Sequence, residues 1–122
     1  DRALLRDRVA SLRAALPASI KLHYAMKANP MPAVVGLMAG LVDGIDVASA
    51  GELQVALDAG AHPAEISFAG PGKRDRELEA AIRAGVTLNL ESEGEAHEKR
   101  FEIHRVPLAG PDGGRWNLDS LD

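Results

Sequence analysis

The sequence contains no cysteine, which excludes disulfides, thiol nucleophiles and cysteine-based zinc sites. Aromatic residues are scarce, with one Trp, one Tyr and two Phe in 122 residues, so a core has to be built from aliphatic side chains. No apolar run reaches the roughly 20 residues of a membrane-spanning helix, and no charged-then-apolar leader opens the chain. The 14 basic residues are outnumbered by 18 acidic ones, for a formal net charge of −4, which gives no reason to expect a nucleic-acid partner. With these classes set aside, the expectation is a soluble, cytoplasmic protein. The chain opens directly on a helical pattern, which leaves room for a lost upstream signal.

What is abundant is Ala, Leu and Val, the palette of helix-rich α/β proteins. Residues 2–16 set Leu5, Val9, Leu12 and Leu16 on one stripe of a helix that Pro17 stops. Residues 20–28 alternate with period two: Ile20, Leu22, Tyr24 and Met26 point one way, Lys21, His23, Ala25 and Lys27 the other. Asn29-Pro30 turns the chain into a helix over about 32–41, with Val34, Val35, Leu37, Met38 and Leu41 apolar.

The same unit then recurs. Residues 44–48 read as a buried strand, followed by Ser49 and Glu52 at capping-box spacing and a helix closing near Gly60. Residues 65–69 form a third strand, which leads through Gly70-Pro71-Gly72-Lys73 into helix 75–84 and Gly85. Residues 86–90 form a fourth, ending in a further helix start at Glu91-Ser92-Glu93-Gly94-Glu95. Short loops between alternating strands and helices mean parallel strands with crossover helices. Either an open doubly wound sheet or a (β/α)8 barrel satisfies this pattern. After residue 98 the rhythm breaks: one strand is possible over 101–106, then turn residues dominate, and residues 99–122 read as an irregular tail outside the domain formed by 1–98.

Lys27 closes a strand at its carboxyl end, where parallel α/β folds build their sites. A partly desolvated amine there is nucleophilic enough for a Schiff base. By position alone, the plainer reading is a lysine reaching into water. His23 lies on the same side and reads as a packed, hydrogen-bonded histidine. Glu52 is accounted for by its capping spacing, and Gly70–Lys73 lacks the spacing of a phosphate loop. His62, His97 and His104 have no partners at metal-ligand spacing, so no metal site is expected.

The words around Lys27 change its reading. Tyr24-Ala25-Met26-Lys27-Ala28-Asn29 resembles the pyridoxal-lysine signature of the ornithine/diaminopimelate/arginine decarboxylase family, although Val42 departs from that signature's last position. Asp46–Leu53, Phe68–Lys73 and Glu91-Ser92 resemble the family's next three strand-to-helix junctions, in order. The wording of the AMKANPMP and FAGPGK segments is similar to the decarboxylase-like proteins associated with exosortase systems.

The resemblance implies an α/β fold, the N-terminal half of a pyridoxal-phosphate-binding (β/α)8 barrel of the alanine-racemase type, here truncated. It implies pyridoxal 5'-phosphate as cofactor, held through Lys27, with Asp46 close by in the pocket and able to pair with the free amine. It also implies decarboxylation of an amino acid, and homodimeric full-length relatives. The family's later arginine-bearing strand, ring-stacking histidine, glycine-rich phosphate loop and ring-nitrogen glutamate are not identifiable. A non-catalytic remnant, or a cofactor-binding protein of the same barrel type, is therefore the alternative. A half barrel should expose sheet edges and an apolar interior, so the isolated chain is expected to be marginal or self-associating and to bind the cofactor weakly.

Overall fold

The computed structural model describes residues 1–93, Glu95 and the short strand Leu108–Ala109. Helix α1 (Arg2–Ala15) starts where the Asp1 carboxylate accepts the Ala3 N–H, and it ends at Leu16, before Pro17. Strand β1 (His23–Ala25) passes into a 3-10 turn, Met26–Ala28, and then into α2 (Pro32–Ala39). Pro32 suits a first helical turn, whose N–H groups have no intrahelical partner.

Strand β2 (Gly44–Val47) leads to α3 (Ala50–Asp58), capped by the Ser49 hydroxyl, which accepts the Glu52 N–H. A 3-10 turn at Pro63–Glu65 precedes β3 (Ile66–Phe68). Helix α4 (Asp75–Ala84) stops at Gly85, whose φ of 74° lies in the left-handed region that side chains resist. Strands β4 (Thr87–Asn89) and β5 (Leu108–Ala109) complete the described elements.

The five strands lie side by side in chain order, every pair parallel. Because the order never reverses, right-handed crossovers put successive helices on one face of the sheet. That is the wall of a barrel and not a doubly wound sheet, whose strand order switches direction. The helix-facing side carries Met26, Ile45, Val47, Ile66, Phe68 and Leu88, packed with Val35, Leu53, Ala56, Leu78 and Ala81 into one buried cluster. Each Val, Leu, Ile, Met or Phe side chain removed from water here contributes about 1.5–3 kcal/mol.

Strand alternation puts His23, Ala25, Asp46, Ser67, Thr87 and Asn89 on the opposite face. The barrel interior was expected to be apolar; along these four strands it is polar, because each apolar residue of β2–β4 is already used against the helices. Two other expectations also change. The strand expected over 20–28 is confined to His23–Ala25, since the turn into Asn29-Pro30 begins early, with the Asn29 N–H donating to the Met26 carbonyl. In α1 only Val9 of the apolar stripe is buried, and Leu12 is 42% exposed. The strand expected at 101–106 lies outside the described residues. Leu108–Ala109, within the segment expected to be an irregular tail, pairs in parallel with Leu88 and Asn89.

Candidate active site

Lys27 sits at the carboxyl end of β1, in the middle of the 3-10 turn Met26–Ala28. Three contacts hold that turn. Met26 is fully buried beneath it. The Tyr24 hydroxyl donates 3.0 Å to the Asn29 carbonyl, and the Asn29 side-chain oxygen accepts the Met31 N–H at 3.0 Å. The backbone carrying Lys27 is thus fixed from below and from both sides, while Lys27 itself is exposed. Among the described residues, no hydrogen bond or ion pair engages its amine.

Two residues back, Ala25 is registered beside Asp46 of β2, and Asp46 beside Ser67 of β3. Asp46 Oδ1 accepts a hydrogen bond from Ser67 Oγ at 2.8 Å and meets His23 Nδ1 at 2.8 Å. Neither bond was legible in the chain order, because it is the parallel register that brings these positions together. Asp46 was expected close to Lys27; its hydrogen bonds among the described residues run to His23 and Ser67. The pair is open, with His23 and Asp46 side chains 37% and 43% exposed.

The loops at the same end of the sheet are tied by carboxylates. Glu52 accepts the Ala48 N–H at 2.7 Å, and Glu77 accepts the N–H groups of Arg74 and Ala50. Glu91 accepts the Gly70 N–H at 2.6 Å. Glu95 accepts the N–H groups of Glu91 and Lys73 and, at 3.2 Å, the Lys73 ammonium, which also donates to the Gly70 carbonyl. The Lys73 and Glu95 side chains are only 2% and 6% exposed. Burial pushes the Glu95 carboxyl up, but these donors outweigh it and hold it below its usual value. Gly70–Lys73 is therefore a clasped loop, with its lysine turned inward onto Glu95.

Lys27 thus presents, at the carboxyl end of a parallel strand, a primary amine with no hydrogen-bond or ion-pair partner among the described residues. Residues 2–105 match the family model described as pyridoxal-dependent decarboxylase, pyridoxal binding domain. The chain belongs to the pyridoxal-dependent decarboxylase family.

Among relatives of this family, diaminopimelate decarboxylase from Vibrio cholerae is 40% identical over 97 residues, 79% of this chain and 23% of that protein. The lysine/ornithine decarboxylase of Vibrio vulnificus, solved with putrescine, superposes with a TM-score of 0.81 at 26% identity, over 90% of this chain and 30% of that one. A diaminopimelate decarboxylase variant from Helicobacter pylori, solved with L-lysine, gives 0.76 at 33% identity, over 84% and 27%. The chain thus spans under a third of the length of these relatives. Its sheet and helices are those of the N-terminal part of the decarboxylase family's pyridoxal-binding barrel, of alanine-racemase-like type. No described helix is long and apolar enough to cross a membrane.

Proposed function

We propose that this chain supplies the cofactor lysine, Lys27, and one wall of the active site of a pyridoxal-phosphate-dependent amino-acid decarboxylase. The observation that carries this reading is an amine with no partner among the described residues, on a fixed turn at the carboxyl end of β1, in a chain matched by the pyridoxal binding domain of this family. Lys27 would hold the cofactor through its amine. Asp46 would serve the same pocket, as the carboxylate registered beside Ala25. Pyridoxal phosphate, when bound, supplies the electron sink that makes loss of an α-carboxylate feasible. The protein's own part is to keep the Lys27 backbone still, through Tyr24, Met26 and Asn29, and to offer a polar face in place of an apolar one. An amino acid is the proposed substrate class, in line with the decarboxylases to which the chain is similar.

The test is covalent capture. The full chain is incubated with pyridoxal phosphate, reduced with borohydride and digested, and the labelled lysine is identified by mass spectrometry. Labelling concentrated on Lys27, and lost in Lys27→Ala, is the expected outcome. Labelling of Lys27 no stronger than that of the exposed Lys21 would favour the non-catalytic remnant.

A further inference from the structure

We propose that Lys73 is a latch for the loop after β3: its buried ammonium, bridging the Gly70 carbonyl and Glu95, selects one conformation of Gly70–Lys73 and fastens it to the segment after β4. Packing does not choose that conformation. Gly70 and Gly72, with φ of 121° and 65°, flank Pro71 in backbone conformations that side chains resist. A Cβ on Gly72 would meet nothing within 4 Å, and one on Gly70 would meet only Ala48, at 3.8 Å. Pro71 and Gly72 are exposed. The tip of the loop therefore has little against it to fix its shape.

What fixes it is a set of hydrogen bonds at its two ends. The Gly70 N–H donates to Glu91 at 2.6 Å, and the Gly70 carbonyl accepts the Lys73 ammonium at 2.6 Å. The Lys73 N–H donates to Glu95 Oε1 at 3.0 Å, and the ammonium reaches Oε2 of the same carboxylate at 3.2 Å. The lysine side chain thus folds back along its own loop and draws both ends onto one carboxylate. A lysine suits this place, because its ammonium is a compact charge with three donors.

Stability alone accounts poorly for the pair. Both side chains are almost wholly buried, and taking two charges out of water offsets most of their attraction. What such a pair does well is to penalise every alternative, since a rearranged loop leaves one buried charge without the other. Two glycine hinges at the carboxyl end of a sheet would let a loop open as a lid. Lys73 makes this one a fixed wall instead. The inference concerns the loop alone and is independent of what Lys27 binds.

The experiment is amide hydrogen exchange on the full chain, read by NMR. Lys73→Met removes the ammonium and leaves Glu91 and Glu95, the acceptors of the Gly70 and Lys73 N–H groups, in place. Exchange at the Gly70 amide is expected to accelerate about tenfold relative to the Ala48 amide, the effect of losing one charge-assisted hydrogen bond. Ala48 is the reference because its acceptor, Glu52, is untouched. A Gly70-to-Ala48 ratio equal to that of wild type would overturn the proposal, since the pair would then serve only the stability of the whole chain. If circular dichroism shows that Lys73→Met is unfolded, amide relaxation of the wild-type chain decides. The Gly72 amide is expected to be as rigid as those of α4, with an order parameter of about 0.85, and a value below about 0.6 overturns the latch.

Discussion

The Tyr24 hydroxyl closes the turn that carries Lys27 by donating a 3.0 Å hydrogen bond to the Asn29 carbonyl. The two ends of the turn are thereby joined through a side chain rooted in β1. Tyr24→Phe removes the bond and keeps the ring, so a loss of about 0.5–1.5 kcal/mol is expected in urea denaturation. The same variant should speed hydrogen exchange at the Asn29 amide, while amides in β3 keep their protection. Unchanged exchange at Asn29 would show that Met26 alone holds the turn.

Lys73→Met strips the ammonium from a carboxylate that is 6% exposed. Breaking a buried pair from one side costs about 3–5 kcal/mol. The lower end is expected here, because Glu95 keeps the N–H groups of Glu91 and Lys73. Glu95→Leu orphans both of those donors and leaves the buried ammonium only the Gly70 carbonyl, and should cost more than Lys73→Met in the same denaturation series.

Acid should weaken the fold through carboxylates that serve as acceptors. The hydrogen bond from Arg13, aided by the Leu22 N–H, holds the Asp43 carboxyl down at about 2. Glu77, which accepts the Arg74 and Ala50 N–H groups, is held below its usual value too, as is Glu95. Each group binds its proton more readily in the unfolded chain. Their contribution is therefore complete above the ordinary carboxylate range, near pH 4, and drains away as pH falls, for Asp43 until about 2. Melting temperatures should decline below about pH 4, and Asp43→Asn should show a shallower decline than wild type.

Gly44→Ala tests the close approach at the start of β2. The added methyl would fall 2.6 Å from the Glu65 carbonyl oxygen as well as against the His23 ring. The ring can rotate away but the backbone carbonyl cannot, so a cost of about 1–3 kcal/mol is expected from thermal or urea unfolding.

Periodicity carried the reading of the elements far. Helix 75–84 with its stop at Gly85, and the short strands before Ser49 and Gly70, stand in the structure where composition and capping residues put them. Their signals are local, written within a few residues. The end of β1 was misread because alternation continues through Lys27 although the chain has already turned at Met26. Leu12 fits a helical stripe, yet a stripe says nothing about whether anything covers it. The site was legible only in part. The place of Lys27 after β1 could be read, but the bonds of Asp46 could not, since His23 is 23 residues away and Ser67 is 21. Lys73 and Glu95, 22 residues apart, escaped for the same reason.

The carboxylate clasps all face one way. Glu77 at the start of α4 reaches back to Ala50, Glu91 reaches back to Gly70, and Glu95 reaches back to Lys73. At the opposite, amino end of the strands, Asp43, ahead of β2, reaches back to Leu22. Glu77, Glu91 and Glu95 are synthesised 27, 21 and 22 residues after the groups they hold, so assembly of the carboxyl end of the sheet has a time order. A chain ending at Gly85 would contain every residue of α1 to α4 but neither Glu91 nor Glu95, the acceptors that the Gly70–Lys73 loop uses.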